Sequence, residues 1–170
     1  MNDWLRTRRL ESTDNWAKVY RTADQPIEIH TDLRVESIGY EHAADFGQVA
    51  CTAFGMPSAL QPWLANLVKC ANWHVYLAFD SEQAAACGAL FVRGEVGWLG
   101  IEGTLSSHRR RGGQGAIMAR CICDAAQLGC RWVITETGED LPDRPNPSYH
   151  NMLRTGFALA YHRPNYMPEM

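Results

Sequence analysis

Three apolar runs stand almost back to back in the middle of the chain: "WHVYLAFD" (73–80), "AAACGALFV" (84–92) and "VGWLGIEGTL" (96–105). The breaks between them, "DSEQ" and "RGE", are polar, turn-sized and too short for a helix. Each run must therefore fold straight back on the one before it, which predicts an antiparallel three-stranded meander. The stretch beyond the meander is equally constrained. "GGQGAIMARCICDAAQLG" sets Ile117, Cys121, Ala125 and Leu128 at helical spacing and stops at Gly129, a good residue just past a helix end.

Around this centre the alternation of strand and helix patterns continues. "LRVESIGY" reads as a strand, and "EHAADFGQVACTAFG" as a helix with Phe46, Val49, Ala50, Ala53 and Phe54 on one face and Gly55 as its stop. "SALQPWLANLVKC" predicts a short second helix carrying Leu60, Leu64, Leu67 and Val68, with Ser58 as N-cap and Pro62 in the first turn. After the glycine-rich helix come a strand "RWVITET", a loop "GEDLPDRPNP", a helix "SYHNMLRT" closed by Gly156, and a last strand "FALAYH" followed by a tail. The order is β-α-α-β-β-β-α-β-α-β. It implies an α/β (α+β) fold with a mixed, mostly antiparallel sheet flanked by helices.

A chain of 170 residues, 46% hydrophobic and 21% charged, suffices for one domain with a sizeable core. Residues 1–28 fall outside the strand-helix order of 29–170. They read as an amphipathic turn "WLRTRRL", a polar link and a strand-like "NWAKVYR". Residues 15–21 are expected to add to the sheet and cover an edge that would otherwise stand open. The Leu-Arg-Thr shared by "WLRTRRL" and "MLRTGFA" is what a remnant of an upstream repeat would leave. The same strand could instead pair across two chains and make a homodimer.

The net charge of −3 excludes a general polyanion binder, so no nucleic-acid partner is expected and any anion site must be local. There is no run of 18 apolar residues, and no apolar segment comes after the charges of "MNDWLRTRRLESTD". A cytoplasmic chain with no membrane partner is the expectation. Cys51, Cys70, Cys87, Cys121, Cys123 and Cys130 sit in apolar runs, which predicts reduced core residues rather than a disulfide framework. Cys121 and Cys123 would stand roughly 200° apart on a helix, unable to share a metal, and no metal is expected.

The local anion site has an obvious candidate in "SHRRRGGQGAIM" (107–118). A helix N-terminus presents unpaired N–H groups and the positive end of its dipole, and glycine lets an anion approach the backbone. The adjacent arginines add charge-assisted hydrogen bonds to phosphate oxygens. A P-loop is excluded by the lack of Gly-Lys-Ser/Thr. A dinucleotide fingerprint is excluded because Met118 stands where its third glycine belongs.

Arg110-x-x-Gly113-x-Gly115, entering a helix from the third strand of a meander, resembles the coenzyme A signature of the GCN5-related N-acetyltransferases. The resemblance runs from about Leu33 to Tyr161, and "NPSYHNMLRTGF" is similar to the family's second landmark, an Asn before a helix that closes with Gly-Phe. It implies the family's acyltransferase fold and direct transfer of an acetyl group from acetyl-CoA to a primary amine, on a small molecule or a protein. Backbone groups at Gly103, Thr104 and Leu105 would pair with the pantetheine arm. Arg110, Arg111, Gly112, Gly113, Gln114, Gly115 and Ala116 would wrap the diphosphate, while Asn146 and Ser148 would lie near the thioester.

The acid and base are less plainly written. Many members carry a tyrosine four residues before the Gly of Gly-Phe, and here that residue is Met152. Ser148 and Tyr149 are the hydroxyls left to protonate the departing thiolate, Ser148 also being a plausible helix cap. Glu136 is the first candidate for general base and Glu102 the second, although either carboxylate can serve local backbone N–H groups instead. His108, beside three arginines, reads as loop surface. Trp63, Phe54 and Met56 are candidates for an acceptor wall or for plain core. Loss of the tyrosine keeps open a coenzyme A-binding module without catalysis.

Overall fold

The computed structural model describes residues 2–168 and divides them into two compact units. Unit two, Arg21–Thr135, holds the meander. Its elements are β3 (Arg34–Ser37), α2 (Ala43–Phe54), α3 (Gln61–Ala65), β4 (Trp73–Asp80), β5 (Gln83–Arg93), β6 (Val96–Thr104), α4 (Gly113–Gln127) and the start of β7 (Trp132–Gly138). β3, β4, β5 and β6 pair antiparallel in sequence, and β7 then lies parallel to β6 after the α4 crossover.

β4 and β5 are buried on both faces, which accounts for runs that are apolar throughout rather than alternating. On one face Phe46, Val49, Ala50 and Cys51 of α2 pack with Leu64, Leu67, Val75, Leu77 and Phe79. On the other, α4 buries Ile117, Met118, Cys121, Ile122 and Ala125 against β5 and β6. The expected stripes shift at their ends, where helices run past the sheet: Leu128 is 46% exposed and Phe54 51%. Ser58 makes no cap, because a 3-10 turn, Ser58–Leu60, leads into α3 and places Pro62 in its first turn. Cys70 and Cys123 are exposed, so the expectation of six core cysteines holds only for Cys51, Cys87, Cys121 and Cys130.

Unit one combines Met1–Tyr20 with Glu136–Met170. It contains α1 (Asn2–Thr7), β1 (Leu10–Ser12), most of β2 (Trp16–Thr22), the end of β7, α5 (Pro147–Arg154), β8 (Ala158–Arg163) and β9 (Tyr166–Pro168). The boundary between the units therefore falls inside β2 and inside β7. β2 pairs antiparallel with β8, Trp16 opposite Arg163 and Tyr20 opposite Ala158, burying Ala17 and Val19.

The N-terminal strand thus forms, but it does not cover an edge. Within unit one it lies between the end of β7 and β8, where Asn15 O accepts from Glu139 N at 3.0 Å. The edge is β8, exposed along its whole length. The expected polar link and tail are also partly strand, since Leu10–Ser12 pairs with Tyr166–Pro168. No helix among the described residues is long and apolar enough to cross a membrane.

Candidate functional site

In unit two the chain leaves β6 through a 3-10 turn, Ser106–His108, and passes through a short irregular stretch before α4 begins. Arg110 has φ +65° and Gly112 φ +81°, both left-handed, with Arg111 between them. Gly112 is the N-cap of α4 and has no side chain to offer its first turn. Gly113 and Gly115 begin that helix, and their N–H groups have no intrahelical acceptor. Alternating backbone handedness of this kind turns successive N–H groups into an anion-binding concavity.

The glycines also serve the chain itself. A Cβ on Gly112 would lie 2.7 Å from His30 O, one on Gly113 3.0 Å from Leu33 Cδ1, and one on Gly115 3.3 Å from Ile29 Cγ2. Residues 29–33 therefore run against one side of the turn. Sequence reasoning assigned these glycines to close approach by a ligand and missed that contact.

The three arginines differ. Arg109 and Arg110 are exposed and carry no ion pair among the described residues. Arg111 is engaged: Nη1 donates to Asp80 Oδ2 at 2.5 Å, Nη2 to Asp32 Oδ2 at 2.5 Å, and Nε to Asp32 Oδ1 at 3.1 Å. Its hydrogen bonds hold both carboxyls below their usual range, and Asp80 with Asp32 raises Arg111 in turn. His108 corrects the surface reading. It is 7% exposed, with Nε2 at 3.3 Å from Asp80 Oδ2 and Nδ1 at 2.8 Å from Ser107 Oγ, because these two partners, from the end of β4 and the turn itself, draw the ring inward.

β6 supplies the second part of the site. It pairs with β7 only from Val96 to Trp98, and Thr135 Oγ1 donating to Leu99 O at 2.9 Å is the last tie in this unit. From Gly100 to Thr104 the strand pairs with β5 alone. Two residues, Ile101 and Glu102, stand opposite the single Gly88, a bulge in which Ile101 takes φ +58°. Gly103 is packed tightly, since its Cβ would lie 2.7 Å from Ala53 Cβ and 3.3 Å from the exposed Phe54 ring. Thr104 pairs with Ala86 and Leu105 N donates to Ala85 O at 2.9 Å, so both are fixed to β5.

Glu102 reaches the other way, beside Ile117 of α4, and its Oε1 is buried without a partner among the described residues. Burial pushes its carboxyl up to about 8, which keeps it protonated near neutrality and unready to take a proton. Trp63 is 67% exposed and Met56 half-buried against the core, so the two aromatics of the expected wall, Phe54 and Trp63, face water. A cavity of about 330 Å³ lies at the far end of α4, between Asp24, Ala126, Cys130, Arg131 and Trp132, away from the signature turn.

In unit one, Asn146 is the N-cap of α5. Its Oδ1 accepts from Ser148 N at 3.0 Å and Tyr149 N at 3.3 Å, while its Nδ2 donates to Gly138 O at 2.6 Å and Thr137 Oγ1 at 3.2 Å. The cap is thus Asn146 and not Ser148, and its amide is fully employed. Ser148 and Tyr149 follow Pro147, half-buried, in the first turn. Met152 is buried, at 2% exposed. Glu136 forms an ion pair with Lys18 and lies 4.0 Å from Arg163 Nη1. Lys18 is lowered by burial and by Arg163.

No family model matches the chain, and no curated protein does. Solved structures do. A GCN5-related N-acetyltransferase from Sphaerobacter thermophilus superposes with a TM-score of 0.77 at 17% identity, over 97% of this chain and 54% of that one. One from Kribbella flavida gives 0.71 at 16%, over 98% and 62%. A GNAT-family acetyltransferase from Colwellia psychrerythraea gives 0.72 at 17%, over 97% and 59%. The chain spans between half and two-thirds of the length of these structures. Superposing on them over nearly its whole length, the chain has the fold of the GCN5-related N-acetyltransferases.

Proposed function

We propose that the chain is an acetyl-CoA-dependent N-acetyltransferase acting on a primary amine of a small molecule or protein. The observation that carries this reading is the mouth of α4. Uncapped N–H groups, two left-handed residues and the two exposed guanidiniums of Arg109 and Arg110 suit a compact, multiply charged anion such as the diphosphate of coenzyme A. The edge of β6 left free by β7 supports it, because amides along an extended arm can pair with a strand edge. The reaction class comes from the names of the structures that share the fold.

In direct transfer the amine nitrogen bonds to the acyl carbon, the carbon–sulfur bond breaks, the amine loses a proton and the thiolate gains one. Ser148 and Tyr149 remain the candidate donors to the thiolate. Glu136 remains the candidate base, although Lys18 and Arg163 compete with an amine proton for its carboxylate. Exposed Phe54 and Trp63 favour an acceptor with apolar surface beside its amine. Buried Met152, where many members have a tyrosine, favours a second reading: a coenzyme A-binding module without transfer.

Acetyl-CoA at about a hundred times its dissociation constant is expected to stabilise the protein by roughly 2.7 kcal/mol, read as a melting shift. Arg110→Ala should lose most of it. Release of free thiol with a panel of amines then separates transfer from binding alone. A wild type that does not shift would remove both readings.

A further inference from the structure

Arg111 sits at the centre of the signature turn, yet its guanidinium is turned away from the role its two neighbours can play. It spans two carboxylates from distant parts of unit two: Asp32, just before β3, and Asp80, the last residue of β4. His108 Nε2 adds a contact to the same Asp80 oxygen. The backbone of Arg111 is held as well. Thr31 Oγ1 donates to Arg111 O at 2.7 Å, and that hydroxyl is itself oriented by accepting from Leu33 N at 3.1 Å.

A trans peptide points its C=O and the next residue's N–H in opposite directions. Fixing Arg111 O toward Thr31 therefore aims the Gly112 N–H away from residues 29–33. It also fixes the Arg111–Gly112 peptide, the second of the two that link the left-handed positions Arg110 and Gly112. Left-handed backbone at a non-glycine residue persists only where its surroundings hold it there. The ion pairs of Arg111 and the hydrogen bond from Thr31 supply that hold.

We infer that Arg111, Thr31, Asp32 and Asp80 form a clasp that positions the turn for its anion, and that Arg111 is a positioning residue, not an anion contact. The inference rests on the coenzyme A reading. Of the three arginines, Arg109 and Arg110 meet the ligand, and Arg111 keeps the backbone donors in place.

The opposite role makes an opposite prediction. Were Arg111 an anion contact held back by two carboxylates, the double variant Asp32→Asn with Asp80→Asn would free it, remove two negative charges and bind coenzyme A more tightly. A clasp predicts about tenfold weaker binding of coenzyme A and of inorganic pyrophosphate, despite the more favourable charge. Arg111→Lys sharpens the distinction. Lysine keeps the charge but cannot bridge two carboxylates with a planar fork, so its loss should equal that of Arg111→Gln. Equal or tighter binding by the double variant, or wild-type affinity in Arg111→Lys, overturns the clasp.

Amide exchange of the ligand-free protein gives a separate readout. Exchange at Arg111–Gly113 should accelerate in the double variant while the interior of α4 stays protected, and unchanged exchange overturns the clasp. If wild type binds neither coenzyme A nor pyrophosphate, the coenzyme A reading fails and exchange still decides the clasp. If the double variant does not fold, Thr31→Val is measured in the same two ways, with about threefold weaker binding expected.

Discussion

The mouths of α4 and α5 are made of the same kind of backbone and finish in opposite states. α5 is closed by its own side chains. Asn146 Oδ1 accepts from Ser148 N and Tyr149 N, and Asp140 Oδ1 accepts from Asn146 N at 2.6 Å, so a carboxylate already stands where an anion would go. α4 begins at a glycine that makes no side-chain cap, and the one arginine of its turn with acidic partners spends them on holding the turn. An Asn cap stabilises a helix and removes the site. A glycine cap gives up that stabilisation and leaves donors for a ligand.

The largest expected effect must be separated from this contrast before either mouth is probed. Glu102 lies behind α4, and its folded carboxyl sits at about 8 against an ordinary 4.5. Above 4.5 the unfolded chain ionises while the folded one keeps its proton, so stability falls as pH rises from about 4.5 to about 8, then levels. At about 1.4 kcal/mol per unit the loss is on the order of 5 kcal/mol at most. Melting curves of wild type should decline across that window and those of Glu102→Gln should not. Parallel curves would show that Glu102 titrates normally.

Next in size is Gly113→Glu. Its Cβ would meet Leu33 Cδ1 at 3.0 Å, and its carboxylate would enter the mouth of α4 in place of the anion. Acetyl-CoA at the same hundredfold excess should then give no melting shift, a loss of roughly 2.7 kcal/mol. A folded variant that still shifts would move the site away from α4. The smallest effect belongs to α5. Asn146→Ala should cost about 1 kcal/mol of stability in denaturant unfolding. A drop in coenzyme A affinity much greater than twofold would show that Asn146 does more than close its own helix.

Much of this contrast is legible in the sequence. The meander, the glycine-rich turn and the order from β3 to β8 come from local spacing and turn residues. The helix after Asn146 is legible, but its cap reads two residues late, at Ser148, although Asn-Pro carries the signal, since Pro suits the first helical position and puts the cap on the residue before it. The features that were not legible depend on distant partners. Arg111 looked like its neighbours because Asp32 and Asp80 lie far away along the chain. His108 looked exposed for the same reason. Gly100 and Gly103 flanking Glu102 were a signal for the bulge, since isolated glycines inside a strand often mark one. The seat of β2 is set by pairing with β8, which no local pattern encodes.

That pairing has a consequence in time. β1 and β2 lie far ahead of their partners β9 and β8 along the chain, so they emerge from synthesis long before the strands they pair with. At about 5–20 residues per second the wait is many seconds, long compared with the microseconds in which a hairpin closes. Unit two, whose antiparallel strands pair with sequence neighbours, can form during that interval. Closing the sheet of unit one is then expected to be the slow phase of folding, and the apolar faces of Trp16, Val19 and Tyr20 the surface a chaperone would meet.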